Sequence, residues 1–158
     1  MNKRPKRKRI RLHDFDYASP NYYYVTLCTH EKKYLFGMTD HLTQYGKVAD
    51  LCFGMVNEVF PNVTIDKYVI MPNHIHAIVV IENEQADRTA RMYACPTLGT
   101  VIGNYKAAVS RKIHAVDPSI QVWQTRFYDH VIRDQKDYEN IWTYIDENPV
   151  KWESDDYY

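Results

Sequence analysis

His74-Ile75-His76 is the part of this chain best suited to holding a metal. In an extended strand, residues i and i+2 point to the same face. Both imidazoles then reach one cation, while Ile75 faces the other way, into the core. The same spacing also fits two surface histidines at the start of a strand. A second cluster lies near the end of the chain. Tyr138, Ile141, Trp142 and Ile145 repeat at i, i+3, i+4 and i+7, the buried stripe of a helix. At roughly 100° per residue, Tyr144 falls about 110° from the centre of that stripe, at its rim. Asn148 follows one turn later on the same side. A rim tyrosine beside an amide oxygen can be a nucleophile next to a metal ligand, or a half-buried tyrosine before a helix-terminal asparagine.

Chemistry gives these groups a reason to belong together. A phosphodiester is anionic and repels nucleophiles. A divalent cation neutralises a non-bridging oxygen and polarises the phosphorus. Two imidazoles and one amide oxygen leave coordination positions for phosphate and water. A tyrosine hydroxyl can attack and store the broken bond as a phosphotyrosine ester, which a 3′-hydroxyl later reverses without ATP. Mixed nitrogen and oxygen donors suit Mg²⁺ or Mn²⁺, and the imidazoles favour Mn²⁺ in affinity.

These residues must be positioned by secondary structure. Residues 21–29 follow Ser19-Pro20 and are rich in β-formers, predicting a first strand. Apolar residues at 42, 45, 49, 52, 56 and 59 predict a helix over 42–60, stopped by Pro61. Residues 63–71 and 74–81 predict two strands joined at Pro72-Asn73 as a hairpin. Residues 82–96 are polar and patternless, a loop. Thr97 is a candidate N-cap for a second helix over 98–116. Residues 122–132 predict a fourth strand. Asp134 then caps a third helix over 135–148, closed by Pro149. The expectation is an α+β fold in β-α-β-β-α-β, ferredoxin-like order: an antiparallel sheet with its helices on one face, plus a C-terminal helix carrying Tyr144. That order alone names no function.

Whole-chain properties narrow the partners. The first 13 residues hold seven of the 20 basic residues and no acid, so the rest carries 13 basic and 20 acidic side chains, a net of −7. Residues 1–20 therefore read as a basic flexible arm, reaching a polyanion through Lys6, Arg7, Lys8 and Arg9, and residues 21–158 as a single domain. A solubilising tail has the same composition. No apolar run reaches membrane-spanning length and no leader peptide is evident, so a cytoplasmic protein is expected, nucleoid-associated when bound to DNA. Cys28, Cys52 and Cys95 lack CxxC spacing and read as reduced thiols. The 14 tyrosines offer flat faces for bases, although most belong to an ordinary core and surface. The sequence holds no repeat of domain-building period.

Further candidates are more open. His130 is a possible accessory ligand if its strand neighbours His76, or a hydrogen-bonded structural histidine. Lys106 is a candidate phosphate contact, or a lysine snorkelling from an apolar face. Arg126 and Arg133 flank the fourth strand and can meet a DNA backbone. Trp123, Phe127 and Tyr128 can stack on bases or fill the core, and Asp129 and Glu147 are possible acid/base helpers.

The motifs together resemble a known family. YVIMPNHIHAIVV, residues 68–80, resembles the histidine–hydrophobic–histidine (HUH) signature of single-tyrosine transposases. WQTRFYDHVIRDQKDYENIWTYIDENPVKW, residues 123–152, resembles the C-terminal block of the REP-associated tyrosine transposases. LGTVIGNYKAAVSRKI, residues 98–113, is similar to the helix between them, and YYYVTLCTHEKKYLFG, residues 22–37, to the family's first strand. The resemblance implies that His74, His76 and Asn148 bind the metal, that Tyr144 is the nucleophile, and that single-stranded or hairpin DNA is nicked and rejoined through a 5′-phosphotyrosine. The REP-associated branch points to a monomer, with a dimer as the alternative. A hairpin-binding protein that does not cut, a relaxase or replication initiator with the same histidines, and a metal hydrolase unrelated to DNA are the competing functions. In relaxases the tyrosine tends to precede the histidine pair, whereas here it follows.

Overall fold

Asn21–Cys28 (β1) runs through the middle of a four-stranded antiparallel sheet, where its β-branched and aromatic residues pack on both faces. The computed structural model describes residues 21–38, 40–82 and 96–154. A short 3-10 turn, His30–Lys32, and a two-stranded ribbon, Gly37–Met38 (β2) and His41–Leu42 (β3), follow β1. Thr43 then caps helix α1, Gln44–Gly54, its hydroxyl accepting from Gly46 N at 3.1 Å. Only glycine fits at residue 46, because a Cβ there would lie 2.1 Å from the Phe36 carbonyl oxygen.

The helix expected over 42–60 is broken in two. The Met55 N–H bonds Cys52 O at 3.3 Å, a tightened last turn, and a one-turn helix, Val56–Val59 (α2), resumes beyond it. That break turns Val56 into the core. Val63–Ile70 (β4) and His74–Ile81 (β5) form the expected hairpin, with a bulge between Ile65 and Lys67. Helix α3, Leu98–His114, is capped by Thr97 as predicted.

The fourth strand is shorter than the pattern suggested. Only Tyr128–Ile132 (β6) pairs as a strand, because the chain leaves the sheet over residues 125–127, after Gln124 N donates to Cys28 O at 3.0 Å. Lys106 Nζ holds Gln124 O at 2.5 Å, and Trp123 keeps a single bridge to Thr29. Gln135–Glu147 (α4) completes the fold, its first turn capped by Asp134, which accepts from Asp137 N at 2.8 Å.

The strand order is β4-β5-β1-β6, the ferredoxin-like arrangement. Helices α1 and α3 cover one face over a core that includes Tyr23, Val25, Leu27, Ile75, Ala77 and Val79. Helix α4 lies on the opposite face, against Val69, Met71, Ile78, Val80 and Ile132. Of the expected α4 stripe, Ile145 is fully buried, Tyr138 and Ile141 are partly buried, and Trp142 is exposed under Lys67. Among the described residues no helix is long and apolar enough to cross a membrane, and Cys28 and Cys52 form no disulfide. The basic arm, most of the 82–96 loop and Cys95 lie outside the described residues.

Candidate active site

β5 is a central strand, and every one of its residues is buried. Ile75 points to the α1/α3 core, so its neighbours His74 and His76 point to the α4 face, as the alternation requires. Their ring centroids are 4.5 Å apart. Each ring is fixed through Nδ1. His74 Nδ1–H donates to Asn73 Oδ1 at 2.7 Å. His76 Nδ1 lies 2.9 Å from Thr26 Oγ1 and 2.8 Å from the Tyr24 hydroxyl. Thr26 Oγ1 donates onward to Tyr24 Oη at 3.3 Å, which leaves it to accept from His76 Nδ1–H. Both hydrogen-bond patterns place the proton on Nδ1 and the lone pair on Nε2, and both Nε2 atoms are buried.

The β1–β5 register explains why these partners meet. Thr26 lies directly across from His76, and Tyr24 one pair further along the same face, stacked on the His76 ring at 5.6 Å. The Tyr144 ring from α4 stands 5.3 Å from His76 and 6.3 Å, edge-on, from Tyr24, and Tyr144 is 43% exposed. A nucleophile needs that combination: held on one side, open to a substrate on the other. Asn148 caps the end of α4 and is buried. Its Oδ1 has no hydrogen-bond partner among the described residues. Just beyond, the chain turns through Lys151 N, which donates to Asn148 O at 3.2 Å, and Trp152 stacks on His74 at 5.7 Å. Asn148 is thus bracketed in the chain by one residue against His76 and another against His74.

The donor chemistry fits a divalent cation. Among the described residues no group of three or more His, Cys, Asp or Glu side chains could hold a metal. The set here is instead two imidazole nitrogens and an amide oxygen. A buried amide oxygen with no donor is costly unless something electropositive meets it. A soft, thiolate-rich metal has no ligands here, while an ion that keeps open positions for oxygen does.

Other sequence candidates fall elsewhere. His130 does not join the pair, because β1 separates β6 from β5 and because its Nε2 bonds Asp137 Oδ2 at 2.8 Å. That contact matters to α4. Burial tends to raise the Asp137 pKa, but hydrogen bonds from His130 and the Arg133 N–H outweigh it and hold the carboxyl below its ordinary value. Lys106 belongs to α3, across the sheet from the histidines, and its Nζ is occupied by the Gln124 and Thr125 carbonyls. Burial lowers its pKa. Trp123 is core, Asp129 is buried opposite Val25 on the α1/α3 face, and Glu147 pairs with Lys151. Arg126 and Arg133 are exposed at the two ends of β6. Lys6, Arg7, Lys8 and Arg9 lie outside the described residues.

Sequence reasoning missed Asn73, Tyr24, Thr26 and Trp152. Asn73 was visible only as turn chemistry before the histidines. Tyr24 and Thr26 become partners of His76 through a strand register that no local pattern encodes.

The site is thus a histidine pair on a central strand of a four-stranded antiparallel sheet, with a tyrosine-bearing helix across the same face. Comparisons with known proteins show what the chain is similar to. No family model matches the chain. An uncharacterised protein of Haemophilus influenzae is 33% identical over 167 residues, covering 96% of this chain and 93% of its own. A second protein of that organism, provisionally named a REP-associated tyrosine transposase, is 27% identical over 138 residues, 87% of this chain and 74% of its own. The REP-associated tyrosine transposase of Escherichia coli is 30% identical over 87 residues, 55% of this chain and 44% of its own. In fold, the chain is similar to a REP-associated tyrosine transposase solved bound to a REP hairpin, with a TM-score of 0.61, 21% identity, and coverage of 90% of this chain and 74% of that one. In sequence and in fold, the chain thus resembles REP-associated tyrosine transposases.

Proposed function

We propose that this protein nicks and rejoins single-stranded DNA beside hairpins, with Tyr144 as nucleophile and His74, His76 and Asn148 as ligands of Mg²⁺ or Mn²⁺. The observation that carries the reading is the Tyr144 ring against His76, itself 4.5 Å from His74, together with a buried Asn148 amide oxygen, without a partner among the described residues, one turn on at the end of the tyrosine's own helix. The bound cation would supply charge neutralisation at the phosphate. The chain's own residues do the rest. Asn73 and Thr26 hold the imidazoles with Nε2 aimed into the site. Helix α4 presents the Tyr144 hydroxyl at the rim, where a strand can reach it.

In the reaction, the Tyr144 oxygen bonds to phosphorus as its phenolic proton departs to solvent. The bond from phosphorus to the 3′-oxygen breaks, and that oxygen takes up a proton to become a free 3′-hydroxyl. The 5′ side of the DNA stays on Tyr144. Attack by a 3′-hydroxyl on this ester reverses every step, so no external energy source is consumed. The hairpin preference is proposed from the family and from the hairpin-bound relative in the same fold. A basic arm holding Lys6, Arg7, Lys8 and Arg9 adds salt-dependent affinity for the backbone, with Arg126 and Arg133 as further backbone contacts. The proposed donors and nucleophile all lie in one chain, so a monomer would suffice for the reaction.

The test mixes the protein with labelled oligonucleotides carrying imperfect hairpins with single-stranded flanks, plus Mn²⁺. A protein–DNA adduct that survives boiling in detergent is expected, and is lost in Tyr144→Phe and in His74→Ala/His76→Ala. Tight, salt-dependent binding without any adduct would replace nicking with a hairpin-binding function. An activity that survives Tyr144→Phe would point to an activated water instead.

A further inference from the structure

Two exposed tyrosines stand at opposite ends of one row of aromatic rings that passes through the histidine pair. At the first end Tyr34, 63% exposed, meets Trp152 edge-on at 5.8 Å, and Trp152 stacks on His74. The row continues through His76 to Tyr24. It ends at Tyr128, 46% exposed, which meets Tyr24 edge-on at 6.2 Å. Tyr128 lies on the edge strand β6, directly across from Thr26, which in turn faces His76. The row therefore crosses the sheet from the loop after β1 to its open edge, with Tyr144 beside its midpoint.

Neither terminal ring is there to fill the core. Tyr34 is also not placed by chance, because its loop is tied to the turn that carries His74. Leu35 N and Phe36 N both donate to Pro72 O, at 2.7 and 3.0 Å, and Thr29 Oγ1 donates to Lys33 O at 2.8 Å. A rigid, half-open aromatic face beside a phosphate-processing centre loses little freedom when a base stacks on it. Stacking accepts any base, since each has a π-face. A strand whose scissile phosphate sits at Tyr144 must leave in two directions, and each direction meets one of these rings.

We propose that Tyr34 and Tyr128 are stacking platforms for unpaired nucleobases on the two sides of the scissile phosphate. The inference rests on the nicking reading for the position of that phosphate, and goes beyond it in assigning the residues that seat the flanking strand.

Fluorescence anisotropy would titrate a labelled hairpin with single-stranded flanks, and copies with one flank base at a time replaced by an abasic site. The proteins are wild type, Tyr34→Ala, Tyr128→Ala, Tyr34→Phe and Tyr128→Phe. Each alanine variant is expected to weaken binding of the intact strand on the order of tenfold. Each phenylalanine variant keeps wild-type affinity, because the ring and not the hydroxyl does the stacking. One abasic position per tyrosine cancels the difference between alanine variant and wild type, and the two positions fall on opposite sides of the nick mapped from the adduct. Alanine variants that bind every strand like wild type, or lose affinity equally whichever base is missing, overturn the proposal and leave nicking untouched. Matched abasic positions without any covalent adduct would retain the stacking sites and sink the nicking reading instead.

Discussion

On one face of the sheet Val25, Leu27, Ile75 and Ala77 are fully buried under α1 and α3. On the other, Thr26, His74 and His76 are buried almost as completely, under α4. Both faces are dry, but the α4 face adds buried polar groups to its apolar cluster of Val69, Met71, Ile78, Val80, Ile132 and Ile145. The α1/α3 face removes apolar surface from water and gains stability from it. The α4 face removes imidazole and amide groups from water, a cost that a core has no reason to bear. The helices differ in the same way. Helix α3 buries Leu98, Val101, Ile102, Tyr105, Val109 and Ile113, whereas α4 buries Ile145 alone. Beyond Ile145, Tyr138 and Ile141 pack partly buried, and polar rim contacts join them: Lys67 Nζ to Asp146 at 2.6 Å, Tyr138 to Asp66 at 2.6 Å, and His130 to Asp137. The Asp66 carboxylate beside Tyr138 is the main reason its hydroxyl is pushed up to about 12. On the proposed reading, a nucleophile on such a helix, over ligands fixed on a central strand, can adjust to substrate without disturbing the α1/α3 core.

The largest effect should come from Tyr144→Phe. It removes one oxygen from a ring that is 43% exposed, so the thermal midpoint stays near wild type while adduct formation falls by at least about 10³-fold. A variant that still forms adduct at the wild-type rate would move the nucleophile elsewhere.

Neighbouring positions on β5 then separate the two faces. Ile75→Ala should cost roughly 2–5 kcal/mol of stability by opening a cavity. His74→Ala or His76→Ala should cost clearly less in metal-free buffer, yet abolish the rise in thermal midpoint that Mn²⁺ gives the wild type. Differential scanning fluorimetry with and without Mn²⁺ reads both. Equal destabilisation by all three, with no effect of Mn²⁺ on the wild type, would make the histidines ordinary core.

How much of this was legible depends on how local the information is. His74 and His76 sharing a face, with Ile75 opposed, follows from strand alternation alone, and β5 begins and ends where its pattern does. Tyr144 at the rim and Asn148 one turn on follow from helical spacing. Thr97 and Asp134 as N-caps are equally local. What failed was long-range. His130 was a candidate ligand only because the order of strands was open, and β1 turned out to lie between. Lys106 and Asp129 sit at helical and strand positions that no local rule assigns to a face. The fourth strand was overextended because Trp123 and Phe127 have strand-like side chains, while Lys106 draws the carbonyls between them out of the sheet.

Thr26→Val tests the register-dependent part of the site. The swap is close to isosteric and removes the hydroxyl that accepts from His76 Nδ1–H. Loss of such an orienting partner should weaken Mn²⁺ binding by about tenfold. Thr26→Ser should restore it. Binding unchanged in Thr26→Val would leave the orientation of His76 to Tyr24 alone.

The smallest expected effect concerns the attachment of α4. The Asp137 carboxyl has a lower pKa in the folded chain than its ordinary 3.8, through the His130 and Arg133 N–H bonds that overcome its burial. A carboxyl depressed on folding contributes stability above its unfolded value, and that contribution fades as the pH drops through the folded value. Asp137→Asn should therefore lower the thermal midpoint at pH 7 by about 1–3 °C. The gap to wild type should shrink below pH 3.8. Hydrogen exchange at pH 7 locates the change. Protection should fall in α4 and stay constant in β1 and β5, because the core beneath α1 and α3 does not depend on this contact. Loss of protection spread evenly over both faces would mean that α4 is fastened as firmly as α3, and that the two faces do not differ in the way argued here.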